Sequence, residues 1–336
     1  MTESDTTDIT EINDSEISEI SDHDLQVGIT LCSLTYLDED DSNPDKQLDG
    51  IKQYLAYPDL PTAGSWSVVW GPASFEENMW FIAQNRDTGN FALVIRGTVM
   101  SSLAAKLGDI DIVPVTPQIK NVPQGVTIAR GLATAHGRLD VAPDKWTDRT
   151  AWQFLTDELT KTPRVTLDVI GHSLGGALAP IIALDAMQRF PRTVVRSLAF
   201  AGMSPGNKAF SDWYVSSLHH QQHSRFINPL DIIPQWYAGL SEMRNGFPGN
   251  GAACPEAVCL GIDALLVYML AERVSYQATP NPKEFLSSQY PVFKWADQCH
   301  AQHEHLYYML MTGISLEVIH RRFPRTPQWM PPGPLV

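Results

Sequence analysis

Four cysteines in 336 residues are too few for a disulfide framework. Cys254-Pro-Glu-Ala-Val-Cys259 could close a small loop in an oxidising compartment; otherwise the thiols stay reduced. Zinc ligation is not indicated. Cys254 and Cys259 have no nearby histidine, and Cys299, beside His300 and His303, lacks a second cysteine at ligand spacing. Basic residues are scarce, 24 Lys and Arg against 38 Asp and Glu, and no basic patch stands out, which excludes nucleic acid as a partner. No run reaches the roughly 20 apolar residues that span a bilayer. The longest, 258–271, is short and interrupted by Asp263. The first 24 residues contain no Lys, Arg or aromatic but nine acids. They read as a disordered acidic tail and have neither the basic start nor the apolar stretch of a secretory signal. The default expectation is therefore a cytoplasmic protein, with non-classical or specialised export as the alternative. The tail carries −9 of the net −14, so the remainder is only mildly acidic.

What is present is a chain 43% hydrophobic, ample for a large core. Buried strands are expected at 65–70, 79–83, 91–95, 165–170, 194–200 and 223–228, and helices at 25–37, 149–159, 174–190 and 304–322. The strand–helix–strand order through 165–231 predicts an α/β fold with a largely parallel sheet covered by helices. Ligands bind such sheets beyond the carboxyl ends of the strands, where Thr98, Ser173, Gly202 and Asp231 fall. Residues 240–285 form a less ordered insertion, and Pro331-Pro-Gly-Pro334 cannot be helix. The predicted organisation is a tail (1–24), a single domain (25–322) and a proline-rich end (323–336).

Gly171-His-Ser-Leu-Gly-Gly176 lies between an expected strand and an expected helix. A Gly-x-Ser-x-Gly turn in that setting is a nucleophile elbow, which raises the serine to the sheet edge. Serine is a poor nucleophile at neutral pH and needs a base, itself oriented by an acid, in the order Ser, Asp, His. Asp231 is the best acid: it follows a strand, in Asn228-Pro-Leu-Asp-Ile-Ile-Pro234. Of the later histidines, His305 is favoured because Leu306-Tyr-Tyr-Met309 anchors it on the core. His300 and His303 read as solvated loop residues, His320 as a basic helix end, and His172 as structural. An oxyanion hole needs two preorganised donors. The Leu174 N–H is one, and Thr98, at the end of a central strand, is the second.

Five ordered segments resemble the fungal-type, or class 3, lipases of the α/β-hydrolases. They are Val94-Ile-Arg-Gly-Thr98, Val169 through Ala177, the Phe200-Ala-Gly to Phe210 strand and loop, Asn228 through Pro234, and His305-Leu-Tyr-Tyr-Met309. The resemblance implies an α/β-hydrolase fold, a mostly parallel sheet flanked by helices. It implies Ser173 as nucleophile, Asp231 as acid, His305 as base, and Thr98 and Leu174 as oxyanion donors. It further implies an ester substrate, often an acylglycerol, and no cofactor. The expected protein is a serine esterase or lipase with a transient lipid-interface contact. A phospholipase A1, an esterase of soluble esters and a catalytically dead interaction module are the alternatives. Residues 99–114 or 260–271 are candidates for a lid.

Overall fold

The computed structural model describes residues 19–37, 43–75, 78–98, 111–162, 164–218, 222–245, 253–280, 282–285, 294–324 and 330. Along them run α1 (Asp22–Leu34), α2 (Pro44–Leu55), β1 (Trp66–Phe75), β2 (Asn78–Asn85), β3 (Phe91–Ile95), β4 (Pro114–Val115) and β5 (Ile128–Ala129). Next come α3 (Arg130–Val141), α4 (Ala151–Lys161), β6 (Thr166–His172), α5 (Leu174–Arg189), β7 (Val194–Phe200), α6 (Lys208–Ser217) and β8 (His223–Ile227). The last part holds α7 (Leu240–Arg244), α8 (Glu256–Ala271), β9 (Pro282–Glu284), α9 (Trp295–His303), α10 (His305–Met311) and α11 (Leu316–Arg322).

One seven-stranded sheet runs β1-β2-β3-β6-β7-β8-β9. The first three strands are antiparallel, and from β3 onward every neighbour is parallel. Strands β3, β7 and β8 are buried along their whole length; β3 is accordingly apolar throughout, while β7 and β8 also bury Arg196, His223 and Arg225. The core has two halves, one on each face of the sheet. Helix α5, buried from Gly175 to Ala186, fills the first with α3, α4 and α6. Helices α1 and α10 fill the second against Val94, Ile170, Leu198 and Phe226.

Three boundaries differ from expectation. The first helix begins inside the stretch read as tail: Ser21 caps it in a capping box with Asp24. Asp24 also reaches Arg196 at 3.0 Å. At the other end Phe323 and Met330 are buried in the second core half, so the fold does not stop at residue 322. The 240–285 insertion holds two helices and contributes β9, which pairs with β8. The segment 99–110, half of the lid expectation, lies outside the described residues, and Ile112 beyond it is buried in the core.

Arg196 on β7 ties the sheet to α1. Its guanidinium donates to both oxygens of Asp168 on the neighbouring β6, at 2.6 and 2.9 Å, and to Asp24. Burial pushes the Asp168 carboxyl above its usual range, against the pull of Arg196. Removing the cation leaves a buried carboxylate unpaired. Arg196→Met should cost about 3–5 kcal/mol in urea unfolding, and Asp168→Leu in the same chain should restore most of it. A single variant as stable as the parent would show that the triad of charges does not hold the sheet.

Candidate active site

The elbow forms because two glycines allow it. A Cβ on Gly171 would strike the Gly175 carbonyl, and one on Gly175 would strike the Ile95 carbonyl on β3. Without those side chains α5 starts directly beyond β6, and Ser173 is left at φ 61° and ψ −124° between them. A non-glycine residue in that region is strained, a state retained where the surroundings over-determine it. The Ser173 N–H donates to the Phe200 carbonyl on β7 at 3.0 Å, which fixes the turn to the sheet. The N–H of Leu174 belongs to the first turn of α5, whose donors have no acceptor within the helix.

Beside Ser173 stands His303. Its Nε2 is 2.8 Å from Ser173 Oγ, and its Nδ1 is 2.7 Å from Asp231 Oδ2. An ionised carboxylate only accepts, so Nδ1 carries the proton and Nε2 is free to accept from the serine. Asp231 is held on every side. Its Oδ1 accepts from the Ile233 N–H at 2.9 Å, and its Oδ2 accepts also from the Tyr308 hydroxyl at 2.9 Å. The same hydroxyl accepts from the Asn228 N–H, and the Asn228 amide donates to Gln302 one residue before the histidine. Both ends of the pair are thus tied to one network, and Ser173, Asp231 and His303 are all buried.

The structure brings Ser173 and Asp231 together, as their motifs predict, but the histidine between them is not His305. Helix α9 ends at His303, Glu304 is extended at φ −60° and ψ 127°, and α10 restarts at His305. The break turns His305 away from the serine. Its Nδ1 meets Ser33 Oγ on α1 at 3.0 Å, and its Nε2 pairs with Glu304 at 3.1 Å. Nor is His303 a solvated loop residue, since its side chain is fully buried. A signal for it existed in the sequence. Trp295, Cys299 and His303 recur every four residues, and the first two pack on the core, so they point the third inward.

His305 instead belongs to a second layer. Its ring stacks on Tyr36 at 4.5 Å and 7°. The Tyr36 hydroxyl accepts from the Gly97 N–H at 3.1 Å and lies 3.0 Å from His172 Nδ1. A Cβ on Gly97 would overlap this hydroxyl, the His172 carbonyl and the Ser173 side chain, so the strand end carrying Thr98 abuts the elbow. Thr98 itself is buried. Besides His303, Tyr36 and Tyr308 are members of the site that sequence reasoning missed.

Among the described residues one cluster resembles a metal site: His136 and Asp140 on α3 with Asp185 on α5. Arg189 already occupies it, donating to Asp185 at 2.9 Å and Asp140 at 3.0 Å while lying 4.7 Å over the Trp152 ring. With its carboxylates neutralised by a guanidinium, the cluster is an ion-pair network.

Residues 92–239 match the family model for lipase (class 3). A secreted alkaline triacylglycerol lipase from Penicillium cyclopium is 31% identical over 160 residues, which is 47% of this chain and 52% of that one. The secreted mono- and diacylglycerol lipase MDL2 of Malassezia globosa is 29% identical over 151 residues, 44% of this chain and 47% of its own. The crystal structure of M37 lipase superposes with a TM-score of 0.75 at 21% identity, covering 88% of this chain and 93% of that one, a likeness of fold. The fold is that of the α/β-hydrolases. The likeness to the class 3 lipase family model is confined to residues 92–239, somewhat under half of the chain. It spans about half the length of the curated relatives it matches. Both of these relatives are named as secreted, which overturns the expectation of a cytoplasmic location.

The site carries a pH signature in stability. Burial holds His172 well below its ordinary value, aided by the neighbouring His303 and His305, and burial likewise lowers His305. Both take up a proton at lower pH in the folded chain than in the unfolded chain, which protonates them near 6.5. Below that pH the unfolded state binds more protons, so stability is unaffected above about 6.5 and declines as the solution is acidified from there toward the lowered folded values. Urea midpoints measured from pH 7.5 to 5 should decline, and His305→Gln should flatten the decline. An equal slope in the variant would remove His305 from the account.

Proposed function

We propose that the protein is a serine carboxylic-ester hydrolase acting on acylglycerols, exported as its named relatives are. The observation that carries this reading is His303 bridging Ser173 Oγ and Asp231 through its two ring nitrogens. In this reading Nε2 takes the serine proton as Oγ attacks the ester carbonyl. The Leu174 and Thr98 N–H groups stabilise the oxyanion, and Asp231 holds the tautomer and the charge of the imidazolium. His303 then protonates the departing glycerol oxygen. Water, deprotonated by the same nitrogen, frees the acid from the acyl-enzyme. Tyr308 keeps the Asp231 carboxylate aimed at His303, and Tyr36 fixes the strand end that carries Thr98.

The reading includes a contact with the lipid surface, and α8 is its instrument. The helix is apolar on nearly all sides, yet Ile262 is its only fully buried residue. Leu260, Val267 and Leu270 are 62%, 67% and 82% exposed. Large apolar side chains gathered on one exposed helix suit an interface that offers acyl chains. Its acids, Glu256 and Asp263, favour neutral or zwitterionic lipid over an anionic surface.

Two measurements test these assignments. Ser173→Ala and His303→Ala should each lower turnover of an emulsified acylglycerol by about 10⁴-fold or more, whereas His305→Ala keeps a large share of it. If His305→Ala fell as far as His303→Ala, the base would be misassigned. Replacing Leu260, Val267 and Leu270 with serine should reduce turnover of emulsified substrate severalfold and leave a soluble short-chain ester untouched. Equal losses on both substrates would rule out the interfacial role of α8.

A further inference from the structure

We propose that Cys254 and Cys259 form a disulfide that staples the first turn of α8. The inference rests on their places in the helix and stands apart from the hydrolase reading. Pro255 is the N-cap of α8, so Cys254 is the residue before the cap and Cys259 is the fourth of the helix. These two positions face each other across the first turn, where apolar pairs commonly pin the entering chain. Here both are cysteines. Cys259 Sγ lies 3.7 Å from the Cys254 carbonyl oxygen, while the Cys259 N–H donates to Pro255 at 3.0 Å. Burial, with Cys259 beside it, pushes Cys254 up to about 12.

A thiol pair is a weak fastening, because S–H is a poor donor and sulfur a poor acceptor. The turn it occupies has little else. Pro255 makes no side-chain cap, and the helix is otherwise held by Ile262, by the half-buried face around Leu265, Leu266 and Met269, and by the Asp263–Arg244 ion pair at 2.6 Å on the surface. A covalent link would fix the start of an exposed apolar helix to the chain that enters it. The other cysteines are placed for different work. Cys32 is fully buried in α1, and Cys299 packs on the core one turn before His303.

The step is thiol–disulfide exchange with a low-molecular-weight disulfide such as glutathione disulfide. One cysteine thiolate attacks the oxidant, breaks its S–S bond and releases one glutathione thiolate. The second cysteine thiolate attacks the mixed disulfide and releases the other. The protein loses two electrons to the oxidant, and the two thiol protons leave on the two glutathiones.

The test uses the full chain, reduced and then incubated with millimolar glutathione disulfide, denatured, alkylated and mapped by peptide mass spectrometry. The expected result is a Cys254–Cys259 crosslink, with Cys32 and Cys299 alkylated, reversed by dithiothreitol. Cys259→Ser should trap glutathione on Cys254. Oxidation should also slow proteolytic cleavage between residues 253 and 259 by at least about fivefold, since cleavage follows the open population of the turn. Four alkylated cysteines, a lasting glutathione adduct on the parent chain, or a Cys254–Cys299 crosslink would overturn the pairing. An unchanged cleavage rate in crosslinked protein would overturn the stapling role. Loss of ester hydrolysis in Ser173→Ala leaves every one of these readings in place, so the two proposals fail separately.

Discussion

The closeness of β6 to α5 is the constraint from which the site follows. Gly171 and Gly175 meet backbone to backbone, and Gly176 does the same against Gly202. Helix and sheet therefore approach to a distance that side chains would forbid. The residue between them has no room for ordinary dihedrals, and Ser173 takes the strained ones. Its hydroxyl then stands at the carboxyl edge of the sheet, where the chain after β8 delivers Asp231 and the chain after β3 delivers Gly97 and Thr98. One steric allowance in the backbone sets where Ser173, Asp231 and the end of β3 meet.

Around this point polar groups are stacked in two layers that stiffen each other. In the inner layer Asp231 accepts from a backbone N–H, an imidazole and a phenol, so its carboxylate has no freedom to swing. In the outer layer Tyr36 lies between the His305 ring and the Gly97 N–H, with its hydroxyl on His172. The His172 ring in turn sits 4.8 Å from that of His303. A buried network of this kind is rigid only when its members are satisfied. It also explains why two histidines near the serine have their affinity for protons lowered by burial.

Much of this was legible in the chain. The elbow announces itself through glycines whose spacing has no other purpose, and Asp231 through a strand that ends in Pro-Leu-Asp. The parallel sheet follows from strand-like segments at 165–170, 194–200 and 223–228 alternating with helical patterns. The histidine beside Ser173 was not legible in the same way. Two histidines two residues apart are both attached to core, His305 through the run after it and His303 through the helix before it. Only the break at Glu304 decides between them, and a single extended residue leaves no mark in periodicity. The insertion was only partly legible. An apolar stretch such as 260–271 suits a cover over the site or a buried helix equally well, and its exposure becomes visible only when its neighbours are in place.

Strand β9 changes the meaning of that insertion. Three residues, Pro282 to Glu284, add the last parallel strand to the sheet, and Phe285 follows with its N–H on Ile227 and its ring against Phe226 and Tyr308. The chain that leaves the site at Asp231, runs out through α8 and returns thus comes back into the sheet itself. Helix α8 therefore lies in the stretch of chain between two neighbouring strands of the sheet, β8 and β9. Cutting out the whole segment would strip β8 of its outer neighbour β9 and open the edge of the sheet beside Asp231.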